Sequence, residues 1–501
     1  MSSLFQRIIA FFMSVIAFFA GLFGLNKTPA DPPPETTVTE QTSEEPTSEE
    51  PTSEEPTSEE PTSEEPTSEE PTSEEQTTEE EPIVTDYIDA RYPVPAPLCG
   101  TEGGTYESSG GTVICRREQT AEADFEAYLA LLGRLGFILY DENRIENNRF
   151  ASLSMGDTAV FVSWFARTAT LRVIAEPKGE FCPLTDPYEE TCDTLLTGMK
   201  GETCVAGEGM GFIIRLADGS FCIIDGGMGD PDHVDSNKLM NILLAQKPAD
   251  AEKPVIAAWI FTHLHGDHIG VFNCFSLDHH DDVIIERLYY NFPKEEETAV
   301  SDSPYMLDNT IYRYTQFKRN LADFYADVPV VKLHSGNRFA VRNAEFKVLY
   351  AYDDLYPKTI LDGGMNECSL LLKMTAGGQS VLWTGDIAYL ATDLVLSEYE
   401  TALSADILQM AHHGWNGTAA FYAAVDPVYA LLPVSFYVNP DEMFASAANA
   451  WLKNSPRLRQ VIATYCGTWT LRLPYAPADG TFERIPYADT VYPAYPELLG
   501  E

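Results

Sequence analysis

A predominantly apolar, uncharged stretch runs from Ile8 to Leu25 (IIAFFMSVIAFFAGLFGL), long enough to cross a hydrocarbon layer as a helix. It exceeds a signal-peptide core and no Ala-x-Ala cleavage pattern follows, which favours an uncleaved anchor over a removed signal within residues 1–27. The apolar pattern then vanishes over 28–86. Thr-Ser-Glu-Glu-Pro begins at Thr42 and recurs to Pro71, and a variant ends at Gln76. Such a segment has nothing to bury against its ordering entropy, so a disordered acidic linker is predicted. Proline and like-charge repulsion extend it to a reach of about 100 Å or more.

Periodicity returns at 87–185, where a small α+β domain is predicted. Ala121–Leu135 has helical apolar spacing, and Gly136–Tyr140, Thr158–Phe165 and Thr168–Ala175 read as strands. Asn147-Asn148 and Gly156-Asp157 supply turns. Nothing in this unit resembles a catalytic constellation, which leaves docking to a partner or packing on the next domain. The domain at 186–480 opens with strands Gly211–Leu216 and Ser220–Ile224, joined by the hairpin signal Ala-Asp-Gly. A glycine-rich turn from Gly226 to Pro231 leads to a helix at His233–Gln246, and Val255–Phe261 is a buried strand. Residues 481–501 form a tail.

Composition sharpens this picture in three ways. At 501 residues the chain exceeds one ordinary core. The net charge of −45 is unevenly spread: between Glu35 and Glu81 Glu is abundant and no Lys or Arg occurs, and the remainder is moderately acidic. That balance argues against binding long duplex nucleic acid through its phosphates, which requires Lys and Arg. Nine cysteines lack any Cys-x-x-Cys pair, which disfavours a zinc ribbon. In an exported protein Cys99–Cys115 and Cys182–Cys192 are the candidate disulfides, with at least one thiol left over. Arg7 and Lys27 flank the anchor and orient it weakly. Linker and cysteines together favour a single-pass protein of a bacterial-type cell membrane, with most of the chain extracellular.

The strand at Val255–Phe261 runs into Thr-His-Leu-His-Gly-Asp-His, placing His263, His265, Asp267 and His268 within six residues. Imidazole and carboxylate together suit zinc and similar ions. Packed on one turn without a cation, these groups would repel or carry burial penalties. Two further buried runs also end in ligand-type residues: Val381–Asp386 (VLWTGD) and Ile407–Gly414 (ILQMAHHG).

With these motifs the sequence resembles the metallo-β-lactamase superfamily over most of the chain after Cys192. The resemblance implies a four-layer αββα sandwich holding two divalent metal ions, Zn2+ or Mn2+, at one edge. It assigns His263 and His265 to the first ion, Asp267 and His268 to the second, and Asp386 as the bridging carboxylate. One of His412 and His413 matches the last ligand and the other lies beside the substrate; the sequence does not separate them. Asp225 matches an acid that orients a ligand histidine.

Many members carry a further histidine between the first cluster and the bridging acid. Here that gap offers His279, His280 and His334; the first two read as part of a solvated loop, and His334 as a strand-to-turn residue. It also holds Asn366-Glu-Cys-Ser369 ahead of a strand at Leu370–Met374. Together with TGD and HHG, this resembles the branch containing the DNA-uptake competence proteins and choline-phosphate esterases. The resemblance implies that Asn366 contacts substrate or water. Cys222 and Cys368 read as core residues, and Tyr289, Tyr290, Phe292, Trp415 and Asn416 as candidates for a pocket wall.

The resemblance thus implies hydrolysis by a metal-activated hydroxide, with Asp267, Asn366, His412 and His413 at the reacting centre. The expected substrate is a small or polymeric phosphodiester. An acyl hydrolase of lactonase or β-lactamase type is the alternative enzyme, and a surface adhesin or sensor using the small domain is the non-catalytic one. Neither a G-x-S-x-G elbow nor a P-loop occurs.

Overall fold

The computed structural model describes residues 86–202, 209–301, 310–434 and 444–476. The anchor at 1–27, the linker up to 85, Cys204 and the tail at 481–501 lie outside the described residues. Among the described residues no helix is long and apolar enough to cross a membrane.

The small domain is a six-stranded antiparallel sheet. Its elements are β1 (Thr101–Glu107), β2 (Val113–Glu118), α1 (Glu122–Arg134), β3 (Ile138–Ile145), β4 (Asn148–Met155), β5 (Thr158–Phe165) and β6 (Thr170–Pro177), in sheet order β1-β2-β6-β5-β4-β3. Strands β1, β2 and β4 were not expected. The first expected turn sits at Glu146-Asn147, with Asn148 already in β4; Glu146 takes the left-handed conformation there (φ 56°).

Both faces of this sheet are covered. Val113, Val160, Val162 and Val173 pack under α1 with Phe125 and Leu132. Ile114, Phe161 and Ile174, on the other face, join a core cluster of the large domain. The small domain therefore packs on its neighbour, and burial on two sides removes the alternation that half-buried strands show.

The large domain is built of two similar halves. The first contains β7 (Leu195–Gly198), β8 (Gly211–Arg215), β9 (Phe221–Asp225), α2 (Val234–Gln246), β10 (Val255–Ile260), α3 (Gly266–His279), β11 (Ile284–Ile285), β12 (Leu288–Tyr290), α4 (Thr310–Phe324) and β13 (Val330–Lys332). Strands β7–β9 are antiparallel, and β9, β10, β12 and β13 are parallel. The second half contains β14 (Arg338–Val341), β15 (Ala344–Tyr350), β16 (Leu371–Ala376), β17 (Gln379–Trp383), α5 (Tyr389–Glu398), β18 (Ile407–Gln409), α6 (Ala419–Val425), β19 (Tyr429–Leu432), α7 (Ala447–Asn454) and β20 (Gln460–Ala463). It repeats the plan, antiparallel from β14 to β17 and parallel from β17 to β20. The last strand, β21 (Trp469–Arg472), returns to pair with β7 in the first sheet.

Phe212, Ile224, Ile260 and Trp469 from the first sheet meet Val348, Met374, Trp383 and Leu431 from the second in one core. The outer face of the first sheet packs Ile223 and Trp259 under Leu243, Phe272 and Phe275 of α2 and α3. That of the second packs Leu382, Leu408 and Val461 under Val395, Phe421 and Leu452 of α5–α7. The result is helix, sheet, sheet, helix, the αββα sandwich expected. Gly229 and Gly270 fit the loop before α2 against α3: a Cβ on Gly270 would stand 2.2 Å from the Gly229 nitrogen.

The disulfide expectation fails. Cys99, Cys115, Cys182 and Cys192 are free thiols, as are Cys222, Cys274 and Cys368. Cys115 faces the small-domain core, Cys182 is buried between the large sheets, and the Cys192 Sγ donates to the Leu216 carbonyl at 3.4 Å.

Candidate metal centre

Parallel strands end together at one edge of the sandwich, and there the ligand-type residues converge. Asp225 is the last residue of β9. His263 follows β10, His265 caps α3, and Asp267 and His268 lie in the first turn of α3, where an acid suits the helix dipole. Asp386 follows β17, and His412 and His413 occupy a tight turn after β18.

Two groups result. Asp267, His268, Asp386 and His413 form one, and His263, His265 and Asp386 the other; within each, the ligand atoms lie within 4.8 Å of one another. Asp386 belongs to both. The Asp386 Oδ2 lies 3.2 Å from His268 Nε2, 3.5 Å from His413 Nε2 and 3.8 Å from His263 Nε2. His413 Nε2 lies 3.0 Å from Asp267 Oδ2.

Outer contacts aim these rings. Asp225 Oδ2 accepts from His268 Nδ1 at 2.7 Å and from the Thr262 hydroxyl at 2.7 Å, while Oδ1 accepts from the Thr262 amide at 2.7 Å. His413 Nδ1 donates to the Pro433 carbonyl at 2.6 Å. The Asp386 amide donates to the Ser369 hydroxyl at 3.0 Å. Asp225, His412 and His413 all hold left-handed backbone (φ 54°, 50° and 53°), a strained state that the surrounding fold imposes.

The donor set fits a cation. His268 Nε2, His413 Nε2 and both Asp386 oxygens are buried without a hydrogen-bond partner, although they crowd together. These atoms face a shared point, and buried polar atoms do not ordinarily stay unpaired. With no cation present, the carboxylates and imidazoles of the group charge one another. Burial opposes charge on His268, but Asp386, Asp225 and Asp267 outweigh it and hold the imidazole up to about 10. Burial and the His268 charge push His263 well below its usual range, and burial lowers His265. Burial works against Asp386, yet His268, His413 and His412 hold its carboxyl well down.

The structure separates the paired histidines. His413 is fully buried within the four-residue group, whereas the His412 side chain is 26% exposed and lies beside Asn366. Trp415 is exposed next to them, and the Asn416 amide donates to the Asp386 carbonyl at 3.3 Å. The other wall candidates are core: Tyr289 stacks on Phe339, and Tyr290 and Phe292 pack against Phe317.

None of the three histidines between the first cluster and Asp386 joins the groups. His279 ends α3 rather than lying in a loop, and pairs with Asp282 and Asn237; His280 contacts the Ser276 carbonyl. His334 sits between Asp353 (2.7 Å) and Glu176 (3.2 Å) at the small-domain interface. Thr262, Ser369 and the Pro433 carbonyl were not anticipated. Thr262 and Ser369 stand inside the motifs, but a carbonyl carries no sequence signal.

No protein-family model matches the chain. No curated protein matches it in sequence. Among solved structures it is similar to the metallo-beta-lactamase fold protein YhfI from Bacillus subtilis (15% identity, 55% of this chain, 100% of that one, TM-score 0.34). Another is CmlA, a diiron beta-hydroxylase from Streptomyces venezuelae (14%, 60% of this chain, TM-score 0.32), of which the chain spans 55%. A third is human tRNase Z, short form (16%, 48% of this chain, 91% of that one, TM-score 0.26). At such low identity and overlap these likenesses decide nothing about chemistry. The chain's own layers are the αββα sandwich described above, with the ligand-type residues gathered at one edge.

Proposed function

We propose that residues 186–480 are a hydrolase dependent on two divalent ions, Zn2+ or Mn2+, that cleaves phosphodiesters outside the cell membrane. The observation that carries the reading is the set of buried, unpartnered nitrogen and oxygen atoms around Asp386. Asp267, His268, Asp386 and His413 would hold one ion, and His263, His265 and Asp386 the other. When bound, such ions supply Lewis acidity and hydroxide at neutral pH.

The chain's own groups do the rest. Asp225 takes the Nδ1 proton of His268 as a hydrogen bond and so keeps Nε2 free to ligate. The Pro433 carbonyl does the same for His413. His412 is the partly exposed imidazole of the pair, placed to touch a substrate and pass a proton to its leaving group. The preference for phosphodiesters rests on the N-x-x-S, TGD and HHG trio. The extracellular location rests on the apolar segment 8–25 and the acidic repeats.

The test is metal quantification on the purified protein, with turnover of bis-p-nitrophenyl phosphate, p-nitrophenyl phosphorylcholine, single-stranded DNA and a β-lactam. A phosphodiester should be cleaved. His265→Ala and Asp386→Ala should each lower the rate by more than the ~10–100-fold cost of losing an outer-shell partner. Turnover of the β-lactam alone would overturn the substrate class, and a metal-free protein would favour a binding role for the small domain.

A further inference from the structure

The two ligand groups are unequal. One offers four protein donors, two of them carboxylates; the other offers two imidazoles and the shared Asp386. Charge and donor number both favour the first-named group for a divalent cation. The second group offers one donor fewer, and the Asn366 side chain lies beside His412, which in turn neighbours the shared Asp386. Asn366 precedes by three residues Ser369, which bonds the Asp386 amide, and by four Leu370, which bonds the Thr262 carbonyl next to His263. The Asn366 Nδ2 lies 3.4 Å from both ring nitrogens of His412. His412 Nε2 in turn lies 3.8 Å from Asp386 Oδ2, the same separation as His263 Nε2. With its amide nitrogen against His412, the Asn366 Oδ1 is buried and without any hydrogen-bond partner.

Resting on the two-ion reading, we infer that the sites load in order, the His413 site first, and that the Asn366 amide oxygen completes the weaker His263/His265 site. His412 positions that amide. An amide oxygen is a neutral donor, so it closes the shell without the charge that would equalise the two affinities.

The experiment uses the full chain, stripped with chelator and titrated with Zn2+ and separately with Mn2+ by calorimetry, the ions being counted after desalting. The wild type should retain one ion through desalting and bind a second at least about tenfold more weakly. Asn366→Ala should leave the first step unchanged and weaken the second by about tenfold or more, and Asn366→Asp should tighten it. Two steps of equal affinity in the wild type would overturn the inference. So would an unchanged second step in both Asn366 variants, or a second step lost in His412→Ala but kept in Asn366→Ala. Failure of the underlying reading looks different: the wild type then retains no ion, or His413→Ala leaves the tight step intact.

Discussion

Replacing Asp225 with asparagine tests whether outer contacts make this centre a metal site. In the structure Oδ1 accepts from the Thr262 amide, and Oδ2 accepts from both the Thr262 hydroxyl and His268 Nδ1. An asparagine that keeps its carbonyl toward the Thr262 amide leaves that buried donor satisfied, so the loop holds. Its NH2 then faces His268 Nδ1 and can only donate. The imidazole must present a lone pair at Nδ1 and carry its proton on Nε2, the atom that points at Asp386. A protonated Nε2 cannot ligate. Losing an outer-shell partner costs about 10–100-fold in metal affinity, which is about 1.4–2.8 kcal/mol. Calorimetric titration of the apo-protein should show this loss confined to the tight step, with far-ultraviolet circular dichroism unchanged. Thr262→Val, which spares the Asp225–His268 contact, should lose less. Wild-type affinity in Asp225→Asn would refute the tautomer argument.

Two predictions concern the domain interface. Arg172 of β6 is almost fully buried, pairs with Asp354, and reaches the Ser335 hydroxyl at 2.5 Å. Arg172→Met strands that carboxylate and should cost about 3–5 kcal/mol in denaturant unfolding; a loss under about 1 kcal/mol would show that the pair is not structural. His334 is buried, yet Glu176 and Asp353 raise its imidazole above the usual 6.5, so its contribution is complete below pH 6.5 and fades as pH rises through the raised value. Glu176 is held down to about 2 from 4.5, against its burial, by His334 and Lys332, so its share is present above pH 4.5 and lost as pH falls toward 2. Melting temperature against pH should therefore carry a contribution that is greatest between 4.5 and 6.5, and His334→Gln should flatten the decline on its alkaline side.

The sequence was legible where chemistry and periodicity coincide. The strands before His263, Asp386 and His412 announce themselves as apolar runs ending in ligand-type residues, and all lead to one edge. It was least legible where burial does not follow the usual pattern. Strand β4, NRFASLSM, looks half polar, yet most of its side chains are buried because its sheet is covered twice. Strand β1 carries two adjacent glycines and stays largely open to solvent at the sheet edge, so it has no apolar signal. The choice between His412 and His413 was closed to sequence reasoning for a different reason. Both sit in one irregular turn with nearly the same left-handed φ, and the Pro433 carbonyl, twenty residues on, anchors the inward one.

His334 shows why residue type alone does not identify a metal site. Its cluster uses the same side chains as the metal centre: a buried imidazole between carboxylates that are remote in sequence. There, both ring nitrogens are bonded, one to Asp353 and one to Glu176. The carboxylate oxygens are occupied too, Asp353 by Ser108, Asn291 and His334, and Glu176 by His334, Thr112 and Lys332. Those valences close on each other, and the cluster clamps two domains. Around Asp386 the same groups stand 3.2–3.8 Å from its Oδ2, and its two oxygens and two imidazole nitrogens remain unpaired. Desolvating such atoms with nothing to bind costs several kcal/mol. A fold that brings them together therefore gains most when a cation occupies the centre, and that difference in satisfaction separates the site from the clamp.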